Sequence, residues 1–358
     1  MNITGLRLRS QRISRPEGRT PADVVRWFGA VQAQDLPASM WAVGLRMGKP
    51  ATEADVERAI ADKSVVRSWP MRGTIHLMPA EDARWMVRLL APRLDRKLTG
   101  NYRRAGLTPD IIARAGDVIA KTLSGKQCTR AEVYAALNAA GVPTDGKNGE
   151  QRGMHLLVHW ARHGLICITP RRGKQQTYAL LDEWMPGGTE LSGDEALAEM
   201  ARRYFRSHGP ATMRDFAWWT GVTLTEAKRA AAMVEGEFDR ESVDGVEHWL
   251  SPGGGGRAPQ APRAFLLPPF DEYTIAYADR GAVVDRDRLV AAGHGIGSNL
   301  IIDGRLAGLW KRTLQRDTVS IAVDPLRPLT REEKDLVPAA VEPYARFLGL
   351  SPVIGLFS

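Results

Sequence analysis

Thr129-Arg-Ala-Glu-Val-Tyr134, followed by Leu165-Ile-Cys-Ile-Thr169 and Gln176-Thr-Tyr-Ala-Leu180, is the stretch whose reading decides the fold. Thr129 stands where its hydroxyl can cap a helix, and Glu132 has the spacing to accept the N–H of the cap in return. A second amphipathic helix is expected from about Glu150 to His163. Two β-type runs then flank a tight basic turn, Pro170-Arg-Arg-Gly-Lys174. Helix, turn, helix and hairpin in that order describe a winged helix.

The same grammar recurs on both sides. Thr20-Pro-Ala-Asp-Val-Val25 opens a copy with helices near Pro21–Gly29, Ala38–Met47 and Thr52–Ala61, then strands at Val65–Trp69 and Gly73–Met78. Thr212-Met-Arg-Asp-Phe-Ala217 belongs to another, with helices near Asp194–Ser207, Met213–Thr220 and Thr225–Met233. Its hairpin is expected from Gly236–Ser242 and Val246–Leu250, turning at Asp244-Gly245, a pair suited to the positive φ angles of a two-residue turn. Ser251–Pro262 carries four glycines and three prolines, which continue neither a helix nor a central strand. Beyond it come strand-like Ala264–Leu267, Asn299–Ile302 and Thr318–Val323, a turn at Asp303-Gly304, and a helix over Arg331–Phe347. The expected class is α+β: three tandem winged-helix modules over residues 1–100, 105–186 and 192–252, and a β-rich C-terminal region over 263–358.

Length and composition agree with that division. The chain has 358 residues, more than one ordinary core serves, and its 44% hydrophobic and 25% charged residues describe a folded protein. No apolar run approaches the length of a membrane span, and the start lacks a secretory signal, so a cytoplasmic protein is expected. Cys128 and Cys167 are too few for a disulfide framework and have no zinc-ligand spacing. The net charge is +8 and arginine far outnumbers lysine, which makes a polyanion a natural partner. HExxH, GxSxG and Walker sequences are absent, which removes support from the common hydrolase and kinase chemistries. Gly293-His-Gly-Ile-Gly297 has neither the flanking elements nor the Lys-Ser/Thr ending of a phosphate loop.

Three groups of residues invite a chemical reading. In Trp27-Phe-Gly-Ala-Val-Gln32-Ala-Gln34-Asp35-Leu-Pro37 two amides and a carboxylate crowd one turn. Extended backbone, which Pro37 favours at Leu36, would project Gln32 and Gln34 to one side, where they could hold a water and a sugar or phosphate oxygen. A solvated loop is the alternative. Along the Glu150–His163 helix, Arg152, His155, His159 and His163 form a basic stripe that either faces DNA or is an ordinary exposed face. His155 and His159 have metal-ligand spacing but lack a general-base glutamate or a carboxylate ligand nearby, so no metal is expected. Arg171, Arg172 and Lys174 would sit at a hairpin tip, where they either meet phosphates or protect a sheet edge.

With these residues in view, the sequence resembles the AlkZ/YcaQ family of winged-helix DNA glycosylases over nearly its whole length. The likeness rests on Gln32-Ala-Gln34-Asp35, Arg67-Ser-Trp-Pro-Met-Arg-Gly-Thr-Ile-His-Leu-Met78, Leu267-Pro-Pro-Phe-Asp-Glu-Tyr273 and Asp303-Gly-Arg-Leu-Ala-Gly-Leu-Trp-Lys-Arg312. Gln32-Ala33-Gln34 is the Gln-x-Gln motif of the AlkZ type, as opposed to the Gln-x-Asp of the YcaQ type. The resemblance implies a monofunctional glycosylase without metal or cofactor, excising N7-alkylated purines and in some members unhooking interstrand crosslinks. It implies a monomer acting on double-stranded DNA of the nucleoid, with winged modules that leave a concave site open to a crosslinked base.

Within that expectation Gln32 and Gln34 orient a water, and Asp35 is the nearest base. His76, Asp271 and Trp310-Lys-Arg312 gain roles from the same likeness: Asp271 in organising the core, Trp310 in packing, and Lys311 or Arg312 at phosphate. The competing reading is a non-catalytic winged-helix regulator.

Overall fold

The computed structural model describes residues 1–146, 151–253, 263–285 and 297–355. The Gly293–Gly297 loop up to residue 296, most of the Gly/Pro linker and Glu150 therefore lie outside the described residues. The chain forms two compact units, one of residues 1–57 with 198–358 and the other of 58–197.

The first stretch of the chain carries α1 (Ile3–Ser10), α2 (Pro21–Phe28), β1 (Val31–Gln32), α3 (Leu36–Gly44) and α4 (Glu53–Ala61). The capping box expected at Thr20 is formed: the hydroxyl accepts from Asp23 N and the Asp23 carboxylate accepts from Thr20 N. Such a cap contributes about 1 kcal/mol. Leu36 and Pro37 differ from expectation. They form the first turn of α3 instead of extended backbone, because a proline in a first turn lacks only an N–H that has no helical partner there.

The second unit contains β2 (Val65–Met71), β3 (Thr74–Pro79), α5 (Ala83–Arg104), α6 (Pro109–Leu123), β4 (Cys128–Thr129), α7 (Arg130–Ala139), α8 (Arg152–Arg162), β5 (Ile166–Arg172), β6 (Gln175–Leu180) and α9 (Leu181–Trp184). Its strands run β3-β2-β5-β6-β4 across one antiparallel sheet. Thr129 and Glu132 form their capping box at the head of α7. The hairpin turn is tighter than the five residues expected, since Pro170, Arg171 and Arg172 remain in β5 and the chain reverses at Gly173, φ 63°. Both cysteines are buried and reduced, and burial pushes the Cys167 thiol up to about 12.

The chain then forms α10 (Gly193–His208), α11 (Met213–Thr220), α12 (Leu224–Ala232), β7 (Asp239–Val243) and β8 (Val246–Leu250). Gly236 and Glu237, expected in a strand, lie in a 3-10 turn, so β7 starts three residues later than expected. Asp244 and Gly245 turn the hairpin with φ of 51° and 75°. Ala211 pairs with Trp249, laying a single-residue strand beside the wing, and Thr212 with Asp215 caps α11 reciprocally.

A five-stranded sheet completes this unit: β9 (Ala264–Leu267), β10 (Asn299–Ile302), β11 (Arg305–Leu314), β12 (Thr318–Pro325) and β13 (Ser351–Gly355) in the order β13-β12-β11-β10-β9. The short α13 (Glu272–Ile275) follows β9, and α14 (Arg331–Leu348) packs on β9 and β13. Leu8, Phe265, Leu267, Tyr273 and Ile301 share one apolar cluster, which ties α1 to the sheet. Trp41 of α3 donates its indole N–H to Leu266 O at 2.7 Å, and Trp310 of β11 donates to Leu267 O at 2.9 Å. Trp310 is thus a packing residue. No helix among the described residues is long and apolar enough to cross a membrane.

Candidate active site

Helix α2 ends because Gly29 adopts φ 79°, a conformation open to glycine at little cost. A Cβ there would also stand 3.0 Å from Arg203 Cδ. The chain leaves the helix extended through Val31 and Gln32, and the extended Asp35 starts α3. Gln32 is 8% exposed, Ala33 is buried, and Gln34 and Asp35 are exposed. The two amides are thus two residues apart on a segment that is not helical, as the sequence suggests, but the break comes from Gly29 and not from Pro37.

Gln32 is anchored through its backbone. Its N–H donates to Glu272 Oε1 at 2.8 Å, and the indole N–H of Trp219 donates to Glu272 Oε2 at 2.9 Å. Glu272 is 1% exposed, so each of its oxygens serves a donor that could not turn to water. His208 is also fully buried, with Nε2 at 3.5 Å from Glu272 Oε2 and Nδ1 at 2.8 Å from Ser207 Oγ. Burial lowers the His208 pKa, and the nearby Glu272 carboxylate opposes that shift. Tyr204 stacks on the His208 ring at 4.5 Å between centroids.

Next to Glu272 in sequence, Asp271 receives both arms of Arg46, Nη2 to Oδ1 at 2.8 Å and Nη1 to Oδ2 at 2.9 Å. Arg46 further donates to Gln11 O and Ala42 O. Asp271 Oδ1 accepts from Tyr273 N and so caps α13. A bidentate pair buried on both sides, with its other donors satisfied, holds the start of α13 rigidly. Asp271 therefore organises the core, and through α13 it sets where Glu272 meets Gln32.

Asp35 Oδ1 accepts the N–H of Ala38 at 3.1 Å as the N-cap of α3. That hydrogen bond gives the carboxylate a structural task in addition to any chemical one.

The basic groups expected to face DNA fall into different surroundings. His159 is turned towards α5, with its side chain 13% exposed, Nδ1 3.2 Å from Tyr102 Oη and 3.6 Å from Asp95 Oδ1. Burial, and then His163, lower its pKa to about 4. It does not offer an open cationic face, and the expected stripe is corrected there. His155 sits edge-on to Tyr102. Arg152 lies half-buried, its Nη2 3.5 Å from Gly106 O.

Asp95 also accepts from Arg162 and lies 2.6 Å from His163 Nε2, so Asp95, His159 and His163 gather three possible ligand atoms. The Arg162 guanidinium already occupies Asp95 Oδ1, and we read the group as an ion-pair network. Asp95 lies on α5, whose internal Pro92 masks the helix in the sequence, so nothing local places this carboxylate beside the two histidines.

At the β5–β6 tip Lys174 and Arg171 are exposed, while Arg172 pairs with Glu132 at 2.9 Å. Lys311 is exposed on β11, and Arg312 donates to the hydroxyl of Tyr344. His76 is fully buried, Nδ1 3.0 Å from Thr74 O.

Comparison with known proteins supplies the family. The model of the "DNA glycosylase AlkZ-like" family matches residues 25–347. A protein of Streptomyces sahachiroi named "Interstrand DNA cross-link repair glycosylase" is 28% identical over 337 residues, covering 88% of either chain. The solved structure of the DNA glycosylase AlkZ from the same organism superimposes with a TM-score of 0.80 over 99% of this chain and 98% of that one, at 22% identity, which shows a shared fold. The span of the family match leads to one conclusion: the chain belongs to the AlkZ-like family of DNA glycosylases.

Proposed function

We propose that this glycosylase excises N7-alkylated purines from double-stranded DNA and unhooks interstrand crosslinks, by hydrolysis of the N-glycosidic bond with a water held by Gln32 and Gln34. The observation that carries the reading is the buried clamp on Gln32: Glu272 fixes its backbone N–H and is itself fixed by Trp219. Alkylation at N7 makes the purine a cationic leaving group, so the bond breaks with an oxocarbenium-like sugar and needs little acid catalysis. What the protein must supply is position. A carboxamide neither gains nor loses a proton at neutral pH, but its oxygen accepts from water and its NH2 donates to an oxygen. Holding the attacking water against the sugar converts a bimolecular encounter into an oriented one. Crosslinked DNA as a substrate finds support in the name of the Streptomyces sahachiroi relative, an interstrand DNA cross-link repair glycosylase.

Asp35 is the closest carboxylate in sequence to the pair, and we assign it the task of taking the water's proton. Asp35→Asn isolates that duty, because Asn caps a helix about as well as Asp. Undiminished single-turnover excision by this variant removes Asp35 from the chemistry and leaves it the cap of α3.

We further propose three winged-helix modules over 1–100, 105–186 and 192–252, with a β-rich region over 263–358. The reciprocal caps at Thr20, Thr129 and Thr212 support the repeat. In the third copy the Ala211–Trp249 bridge adds the extra strand of a wing. Arg152, Arg171, Lys174 and Lys311 remain proposed DNA contacts, with the protein acting as a monomer on nucleoid DNA in the cytoplasm. The whole proposal is tested with duplexes carrying a single N7-methylguanine or a single interstrand crosslink, scored for free base and for alkali-labile sites. Release from neither duplex refutes it.

A further inference from the structure

Arg9, Arg12 and Arg206 line one small cavity of about 220 Å³ around the indole of Trp27, a residue of α2 that stands shortly before Gln32 in the chain. The Arg12 guanidinium lies over the ring at 3.9 Å from its centroid, and that of Arg206 at 4.9 Å. The indole itself is held by its N–H, which donates to Ser10 O at 2.8 Å. Arg12 Nε and Arg206 Nε are buried without a hydrogen-bond partner. Burial lowers the pKa of both groups; at Arg12 the pull of Glu17 opposes this and the repulsion of Arg206 adds to it.

Glu17 is the one carboxylate among the residues described as lining the cavity, and it is half exposed and bonded to Arg15 at 3.1 Å. Arg9, Arg12 and Arg206 thus share a cavity with one carboxylate, which Arg15 already engages; Asp23 also draws on Arg12, and Glu199 and Glu237 draw on Arg206 while Arg202 and Arg203 repel it. Like charges brought together and partly desolvated raise the energy of the empty site, and an anion with several acceptor oxygens lowers it. Both guanidiniums lie over the indole, and their buried Nε atoms have no acceptor, which an anion with several oxygens could supply.

We propose that Arg9, Arg12 and Arg206 around Trp27 form a phosphate-binding site. The source of the phosphate is a backbone phosphodiester of DNA or a free phosphate; the former rests on the reading of this chain as acting on duplex DNA. A DNA phosphate here would be gripped at the helix whose end leads to Gln32, so that backbone binding and the placement of the Gln turn share α2.

The test uses the full chain and the Arg12→Gln, Arg206→Gln double variant, whose Gln side chains remove charge and keep polar reach. Binding to an undamaged duplex is measured across a salt series, and binding of inorganic phosphate by calorimetry; neither readout depends on excision, so failure of the glycosylase proposal leaves the test intact. A DNA site predicts roughly tenfold weaker duplex binding and a log–log salt slope shallower by about 1 to 2. If phosphate binding is lost while duplex affinity and slope stay at wild-type values, the site takes a free phosphate. If the folded variant, checked by its cooperative melting, matches the wild type in both measurements, the proposal is overturned.

Discussion

Replacing Glu272 with Gln keeps the size of the side chain but removes its charge and one of its two acceptor atoms. In the native site Oε1 receives the Gln32 N–H and Oε2 the Trp219 indole N–H, both within a carboxylate that is 1% exposed. A carboxamide can satisfy one of these donors through its oxygen and must turn its own NH2 towards the other. The variant loses a charge-assisted hydrogen bond, about 1.5–3 kcal/mol, and leaves a buried donor unpaired at about 1–3 kcal/mol. Because the two costs overlap, we expect Glu272→Gln to destabilise the protein by about 2–4 kcal/mol in urea unfolding.

The chemical effect is separate. If Gln32 shifts on the order of 1 Å once its clamp is weakened, single-turnover excision falls on the order of 100-fold. Trp219→Phe removes one of the competing donors, so the double variant Glu272→Gln, Trp219→Phe should lose less than the sum of the two singles. A Glu272→Gln protein with wild-type stability and wild-type excision refutes the clamp, and strictly additive singles refute the donor conflict.

Further outcomes follow from groups away from the Gln turn. His159 is held near pKa 4 by burial and by His163, against 6.5 for a free histidine, so its protonation favours the unfolded chain. Stability from this group is intact above pH 6.5 and declines as pH falls towards 4, by up to about 3 kcal/mol. His159→Gln should flatten that part of the stability profile, and an unchanged profile contradicts the buried, neutral ring. Asp95 is opposed by burial but lowered on balance by the His163 hydrogen bond and the nearby cations, so its share is lost only below about pH 4. Asp271→Asn breaks the doubly buried pair with Arg46 and should cost about 3–5 kcal/mol. The apolar double variant Arg46→Met, Asp271→Leu should recover much of that loss in chemical denaturation, and no recovery would mean that the pair does more than neutralise itself.

Local signals were legible in the sequence because their partners lie three residues apart. Thr20, Thr129 and Thr212 each close the capping box that spacing implies, and Asp244-Gly245 turns with the positive φ angles that pair suits. Helix α5 was not legible: it has Pro92 in its interior and a dense run of cations. The long β11 was signalled only by the Asp303-Gly304 turn before it. Leu36-Pro37 was misread because proline constrains the preceding residue as an average, while a helix N-terminus tolerates it locally.

At the site, Gln32 and Gln34 could be picked out as amides two residues apart. Glu272 could not be linked to them, since it meets Gln32 across 240 residues of chain and no local pattern encodes that register. The same distance problem hid Arg206 from Arg12 and turned His159 into a surface residue on paper. Family likeness carried Asp271 into view, but only the Arg46 contact explains it.

The most direct test of the central claim is single-turnover incubation of the wild type, Gln32→Ala and Gln34→Ala with a duplex containing one N7-methylguanine, scored for free base and abasic sites. The account predicts release by the wild type and a steep loss in both variants, each still folded and still bound to the duplex. Release at wild-type rates by either variant contradicts a water held by the two amides.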